Sequence, residues 1–140
     1  MLKIKIILVG RTKEAWLENA VQDYVKRLSS STSIEWLVLK TNEQLIKQID
    51  KERSILCLDP LGEKVNSERF CTLLFQQLET GGSRVTFVIG GAEGLPDQIR
   101  KKHTLISLSP LTFTHQIARL ILIEQIYRAF EIRKGTGYHK

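Results

Sequence analysis

The chain has 140 residues, of which 42% are hydrophobic and 26% are charged. This length fits one domain, and this composition is typical of a globular protein, which excludes wholesale disorder. Twenty-one Lys and Arg against fifteen Asp and Glu give a net charge of +6, which favours polyanions such as RNA without identifying a ligand.

The sequence also argues against membrane, secreted and metal-binding classes. No apolar run approaches the ~20 residues that span a bilayer. The apolar amino terminus is short, is interrupted by Lys3 and Lys5 and lacks a small-residue cleavage site, so we expect a cytoplasmic protein without a signal peptide. Cys57 and Cys71 form no Cys-x-x-Cys motif and no His cluster lies nearby, so no bound metal is expected.

Strand and helix patterns alternate along the first half of the chain. Residues 2–9 place Leu2, Ile4 and Ile6 on one face, as in a strand. In chain order, this half predicts a strand over 2–9, a helix from an N-cap at Thr12 to about Leu28, a strand over 34–39 and a helix from a capping box at Thr41 to about Lys51.

The second half repeats the alternation with shorter, more apolar strands, as in the centre of a parallel sheet. The segment Asp59-Pro60-Leu61-Gly62 predicts a turn. In chain order, this half predicts a strand over 54–58, a helix from Ser67 to about Leu78, a strand over 85–89, a short helix from Pro96, a strand over 104–108 and a long helix from about Gln116 to Ile132.

This alternation predicts an α/β fold with a mostly parallel sheet and helices on both faces, formed by residues 1–140 as a single domain. Ligands of such sheets bind outside the carboxyl ends of the strands. Three loops leave such ends, after Leu58, Ile89 and Leu108. If these strands are neighbours, the three loops converge on one pocket.

The glycine-rich segment Gly90-Gly91-Ala92-Glu93-Gly94 lets a ligand approach the backbone closely. It matches neither the G-x-G-x-x-G fingerprint nor a Walker A motif, which disfavours an enzyme that uses NAD or ATP. Taken alone, the segment fits a plain turn between a strand and a helix equally well.

The long C-terminal helix is apolar around most of its circumference. A surface helix needs only one apolar face, so we expect the other face to form a homodimer interface. Arg119 lies within the apolar arc and requires a carboxylate, a carbonyl oxygen or an anionic ligand. Arg128 and Glu124 are one turn apart and can pair with each other.

The chain ends on Gly137-Tyr138-His139-Lys140. An aromatic ring, an imidazole and an ammonium group suit base stacking, proton handling and phosphate contact, although a disordered tail is the alternative. Because the tail is short, we expect it to become ordered only against a partner subunit or RNA. His115, at the start of the long helix, is a further titratable candidate, with a cap or a packed core residue as the alternative.

Three segments, in this order, carry a family resemblance: IGGAEGL at 89–95, SLSPLTFTHQIARLILIEQIYRAF at 107–130 and the terminal YHK. With these segments the chain resembles, over essentially its full length, the SPOUT-class methyltransferases of the RlmH type. That family modifies N3 of a pseudouridine in large-subunit (23S) ribosomal RNA. Ala92 and Thr114 depart from the residues often found in the family, and Thr114 leaves the path of the loop before His115 less defined.

The resemblance implies a C-terminal trefoil knot, a homodimer, S-adenosylmethionine as methyl donor and ribosomal RNA, on the assembled ribosome, as substrate. An RNA-binding SPOUT-like module without activity is the main alternative, and methylation of a different RNA also stays open. The implied cofactor pocket consists of Leu58, Gly90, Leu108, Ser109, Pro110, Leu111, Thr112 and Phe113.

Methylation at a ring nitrogen requires that the N3 proton be removed and the imidate stabilised. We expect His139 to handle that proton, with His115 as the second candidate, and Tyr138 to contact the target base. The cations expected to hold phosphate or the imidate oxygen are Arg119, Arg128 and Lys140.

Overall fold

A computed structural model describes residues 1–11 and 14–140 of the protein. The strands in the described residues are β1 (Leu2–Val9), β2 (Thr32–Leu39), β3 (Ile55–Lys64), β4 (Arg84–Ile89) and β5 (Thr104–Ser107). The helices are α1 (Ala15–Leu28), α2 (Asn42–Ile49), α3 (Ser67–Thr80), α4 (Asp97–Lys102) and α5 (His115–Lys134).

The strands form one sheet in the order β2-β1-β4-β3-β5, and every paired strand runs parallel to its neighbour. Alternate side chains of the sheet meet helices on opposite faces. Ile6 and Phe87 belong to the core under α1, α3 and α5, whereas Ile7 and Val88 belong to the core under α2 and α4. The predicted α/β class is therefore confirmed, and the trefoil knot stays a prediction.

The turn predicted at 59–62 is wrong, because these residues lie within β3. Pairing with β5 breaks after Leu58 and resumes at Glu63, so the intervening residues bulge out of the ladder. Gly62 permits the bulge, since a Cβ there would lie 2.4 Å from the carbonyl carbon of Leu105. The turn-forming residues thus interrupt the strand without ending it.

The predicted helix caps are confirmed in part. The Thr41 hydroxyl accepts the Gln44 amide N–H, as predicted for α2. Asn66 caps α3, one residue before the predicted Ser67. Thr114 caps α5, which begins at His115. The predicted cap at Thr12 lies outside the described residues.

Helix α5 lies between α1 and α3 and covers the sheet. Its buried apolar residues, among them Leu122, Ile126 and Phe130, belong to the same core as Ile6 and Phe87 of the sheet. Its amino terminus therefore lies at the carboxyl edge of the strands, where ligands of parallel sheets bind. Among the described residues, no helix is both long and apolar enough to cross a bilayer.

Candidate active site

The bulge of β3 that follows Leu58 and the loops that leave β4 and β5 converge on a cavity of about 300 Å³ beside the start of α5. The convergence of these three segments was predicted, although β3 does not end at Leu58 as expected. It follows from the adjacency of β3 to both β4 and β5. Pro110 is exposed and is absent from the lining. The other predicted cofactor residues all line the cavity: Leu58, Gly90, Leu108, Ser109, Leu111, Thr112 and Phe113.

The glycine loop after β4 forms one wall of the cavity and folds back on itself. The Gly94 N–H donates to the Gly91 carbonyl oxygen at 2.9 Å. At Gly90, a Cβ would lie 2.9 Å from the Gly94 carbonyl carbon, so a side chain there would push the loop apart. The fold of the loop therefore requires glycine at position 90, and no side chain projects from Gly90 or Gly91 in this wall.

The loop after β5 is held by its own serines. The Ser107 hydroxyl donates to the Ser109 carbonyl oxygen at 3.0 Å, and the Ser109 hydroxyl accepts the Leu111 N–H at 2.9 Å. These hydrogen bonds between side chain and backbone take the place of the backbone bonds of a helix or strand, and they hold the loop in an irregular conformation. Leu111, at the rim, is 70% exposed and leaves apolar surface at the mouth of the cavity.

An ion pair that was not predicted from the sequence joins two walls of the cavity. The Arg100 Nε donates to the buried Asp59 carboxylate at 2.7 Å, and the other Asp59 oxygen accepts the Leu61 N–H at 2.9 Å. This hydrogen bond raises the pKa of Arg100. Asp59 was interpreted as a turn residue, and its partner lies 41 residues away.

His115 lines the cavity at the first residue of α5 and is half-buried. Its Nε2 faces the backbone at the end of β1, 3.5 Å from where a Gly10 Cβ would stand. The free N–H groups at a helix start favour negative charge, so a developing anion in this part of the cavity would be stabilised.

Arg119 lies outside the cavity lining. It is buried, donates to both carboxylate oxygens of Glu18 in α1, and lies over the Trp36 ring with its guanidinium carbon 4.4 Å from the ring centroid. The carboxylate that its burial demands therefore comes from the same chain. In one chain, Arg119 joins α1 to α5.

The C-terminal tail is docked on its own chain. The Tyr138 hydroxyl donates to Glu124 at 2.9 Å, and its ring meets Tyr127 edge-on at a centroid distance of 4.9 Å. The expectation that the tail orders only against a partner or RNA is wrong, because this aromatic contact and the hydrogen bonds of the tail hold it to α5 and α3.

His139 bridges two elements. Its Nδ1 accepts from Arg128 at 3.0 Å, and its Nε2 donates to Glu68 of α3 at 2.8 Å. The hydrogen bond from His139 lowers the pKa of Glu68. Arg128 also pairs with Glu124 at 3.1 Å and lies over the Tyr138 ring. Lys140 is exposed.

Near neutral pH the tyrosine of the tail is a hydrogen-bond donor and not a base. Burial and the hydrogen bond to Glu124 raise the pKa of Tyr138 to about 12. The phenol is therefore neutral under ordinary conditions and can donate to a ligand oxygen in place of Glu124.

Apart from Arg119, the predicted site residues form two separate groups in one chain. The cavity lies at the amino end of α5, and no tail residue lines it. Arg128 lies 13 positions after His115, which corresponds to about 20 Å along a helix. The cofactor candidates are together, whereas the tail candidates are at the other end of the same helix.

A family model described as "Predicted SPOUT methyltransferase" matches residues 2–139. The chain belongs to the SPOUT methyltransferase family. This membership confirms the resemblance that the three motifs predicted, and it agrees with a ligand cavity at the carboxyl edge of a parallel sheet.

Individual relatives support the same family. The ribosomal RNA large subunit methyltransferase H of Protochlamydia amoebophila is 56% identical over 140 residues, which cover 100% of both chains. Proteins of the same name from Caldicellulosiruptor saccharolyticus and Streptococcus agalactiae are 40% and 38% identical. Those alignments cover 98% and 99% of this chain, and 99% and 100% of the relatives.

The two cysteines are free and buried. Burial, together with the charge of Asp59, raises the pKa of the Cys57 thiol to about 12, so Cys57 is not a thiolate at neutral pH. Burial also raises the pKa of Cys71. No group of three or more potential metal ligands occurs among the residues that the structure describes.

Proposed function

We propose that the protein transfers a methyl group from S-adenosylmethionine to N3 of a pseudouridine in large-subunit ribosomal RNA. The assembled ribosome, in the cytoplasm, is the proposed substrate. The observation that carries the proposal is the cavity between the bulge of β3 and the loops after β4 and β5, in a member of a methyltransferase family. The names of the relatives support ribosomal RNA as the substrate class.

The lining of the cavity fits this donor. Its volume of about 300 Å³ lies at the lower end of the range for ligand pockets. Leu95, Leu108 and Phe113 offer apolar contacts suited to an adenine ring. Gly90 and Gly91 carry no side chain, so the polar edges of the ligand can approach the backbone of this wall closely. When bound, S-adenosylmethionine supplies an electrophilic methyl group on a sulfonium centre.

The protein then has to orient the target base and remove one proton. Holding the reacting atoms in line is a proximity effect that can supply much of the rate enhancement. The weakly acidic N3–H of the ring gives its proton to an imidazole, and a nearby cation stabilises the imidate oxygen. His115 stands in the cavity wall, and His139 and Arg128 are adjacent in the tail cluster.

We propose that the second imidazole and the cations reach the cavity from a second copy of the chain. Ile117, Leu120 and Ile121 of α5 are partly exposed, as a dimer face requires. A two-fold axis across α5 sets the two helices antiparallel, so the tail end of each lies beside the amino end of the other. The separation of about 20 Å within one chain is then bridged between chains.

The test uses purified protein, assembled large subunits or whole ribosomes, and isotopically labelled donor. We expect mass spectrometry to locate one added methyl group on a pseudouridine of the large-subunit RNA, and calorimetry to show donor binding without ribosomes. Donor binding without RNA methylation on any particle would contradict the assigned substrate. Absence of donor binding would favour the non-catalytic RNA-binding module.

A further inference from the structure

A second cavity lies at the opposite edge of the sheet, beside the amino ends of β1, β2 and β4. It measures about 490 Å³, and its charged lining comprises five Lys and Arg side chains and two Glu. Half of the net charge of +6 therefore gathers here. The cations are Lys3, Lys5, Lys51, Arg53 and Arg84.

The alternation of β1 produces this basic groove. Lys3, Lys5 and Ile7 point to the same face of the sheet. Ile7 is fully buried in the core under α2 and α4, whereas Lys3 is exposed and Lys5 is partly exposed. The same sheet face is therefore apolar at its carboxyl half and cationic at its amino half, where the groove is open.

Lys5 is neutralised within the fold. Its Nζ lies 2.7 Å from Glu52 and 3.9 Å from Glu35. Burial raises the pKa of Glu52, but the hydrogen bonds from Lys5, Gln48 and Thr86 together lower it below its usual value. Both glutamates of the groove contact Lys5 and none of the other four cations, and the groove keeps a net charge of +3.

Two of those cations are set side by side. Lys3 on β1 and Arg84 on β4 are register partners, so they lie next to each other on one face of the sheet. Adjacent like charges on neighbouring strands destabilise a sheet. Among the described residues, Lys3, Lys51, Arg53 and Arg84 have no carboxylate partner. An arrangement that costs stability and has no internal partner fits an external anion.

We propose that this basic groove binds the phosphate backbone of a second segment of the RNA substrate. The inference rests on the proposed function and adds the surface that positions the RNA. An eight-residue strand such as β1 spans about 26 Å. The groove and the cofactor cavity lie at opposite ends of the strands and contact different nucleotides. Phosphate contacts of this kind fix orientation without reading sequence.

The lining favours RNA over an acidic protein partner. Protein interfaces depend on buried aromatic and aliphatic anchors at their centre. The groove is lined mainly by charged and polar side chains, and its free cations are exposed. Repeated phosphates match several separated lysines and arginines, and their binding releases counterions.

The test compares two triple variants with the same change in charge. The groove variant carries Lys3→Gln, Arg53→Gln and Arg84→Gln. The control carries Lys26→Gln, Lys47→Gln and Lys101→Gln, which are exposed and lie outside both cavities. Binding to an RNA duplex of unrelated sequence and to ribosomal large subunits is measured from 50 to 200 mM salt, together with methyl transfer and donor binding.

We expect the groove variant to bind both RNA probes about tenfold or more weakly, with a salt slope smaller by about two to three. Its KM for ribosomal subunits should rise with kcat nearly unchanged, its donor Kd should match the wild type, and its thermal midpoint should not fall. In the control variant, the logarithm of the RNA affinity should fall by less than half as much as in the groove variant. Should the triple variant misfold, Arg53→Gln alone should lower the salt slope by about one.

An equal loss of RNA affinity in the two variants would mean that RNA is attracted by the overall charge and not bound in the groove, and would overturn the inference. Lost binding to ribosomal subunits with unchanged binding to the RNA duplex would point to an acidic protein and also overturn it. A wild-type protein that binds both RNA probes through the groove but never methylates them would contradict only the proposed function.

Discussion

The two edges of the parallel sheet are built from the same strands and carry opposite kinds of surface. At the carboxyl edge, loops line the cavity, and the charges of Asp59 and Arg100 neutralise each other in an ion pair. At the amino edge, side chains dominate, and cations remain without internal partners. The difference teaches that a preorganised ligand site comes from loops and buried ion pairs, whereas an adaptable surface comes from exposed side chains on a rigid sheet.

The largest expected effect concerns the tail, which we propose completes the catalytic site at the carboxyl edge of the sheet. Deletion of residues 138–140 should lower the turnover number by about 10²–10⁴-fold, because it removes Tyr138 and a proton-handling imidazole. Donor affinity, measured by calorimetry, should persist, because no tail residue of the same chain lines the cavity and the partner's tail is proposed to contact the base. Lys134→Gln, a nearby exposed substitution, should stay within about twofold of wild type. Unchanged turnover after the deletion would remove the tail from the mechanism.

The second prediction concerns the backbone wall of the cavity. Gly90→Ala forces a Cβ against the Gly94 carbonyl carbon, 2.9 Å away, and overpacking of this kind costs about 1–3 kcal/mol. We expect the donor Kd to rise about tenfold or more. Gly82→Asn is the control, since Gly82 has φ +66, which Asn tolerates, and no neighbour within 4 Å. Equal donor affinity in both variants would show that the glycine loop shifts to accommodate the Cβ without disturbing the donor site.

The third prediction compares a buried ion pair with an exposed one. Arg100→Gln leaves the buried Asp59 carboxylate without its cation, and we expect the free energy of unfolding in urea to fall by about 2 kcal/mol. Arg69→Gln breaks the exposed pair with Glu63 and should cost under about 1 kcal/mol. A similar cost for both variants would mean that the cavity edge gains no rigidity from its pair.

The smallest expected effect is a pH dependence at the amino edge. The pKa of Glu52 is lowered in the fold, so its stabilisation is present above the ordinary carboxyl pKa and is lost as pH falls through the lowered value. Lys5→Gln removes one of the interactions that lower this pKa. Urea midpoints between pH 3 and 6 should therefore vary less steeply than in wild type. An equally steep profile would assign the acid sensitivity to other carboxylates.

Local patterns predicted the carboxyl edge well and the long-range pairs poorly. The apolar runs that stop at Leu58, Ile89 and Leu108 are visible in the sequence, and the sheet order brings the segments that follow them together, although β3 continues beyond Leu58. The partner of Arg119 is Glu18, 101 residues away, and no periodicity specifies that pairing. The bulge at Gly62 depends equally on where β5 passes.

The tail was misjudged for a related reason. Short chain ends are usually frayed, and the sequence does not show that Tyr127 and Glu124 form a seat for Tyr138. The pairing of Arg128 with Glu124 was visible because it follows helical spacing. The helix geometry was therefore predictable, whereas the docking of a segment without periodicity was not.

The docked tail sets a condition on any RNA that engages it. The Tyr138 hydroxyl and the His139 Nε2 already donate to Glu124 and Glu68. An incoming nucleotide gains little by offering acceptors to these atoms, because each new bond replaces an existing one. Discrimination then rests on exchange: a ligand must offer a stronger acceptor than the carboxylate that it displaces, and the neutral oxygens of a free nucleoside are weaker acceptors than a carboxylate.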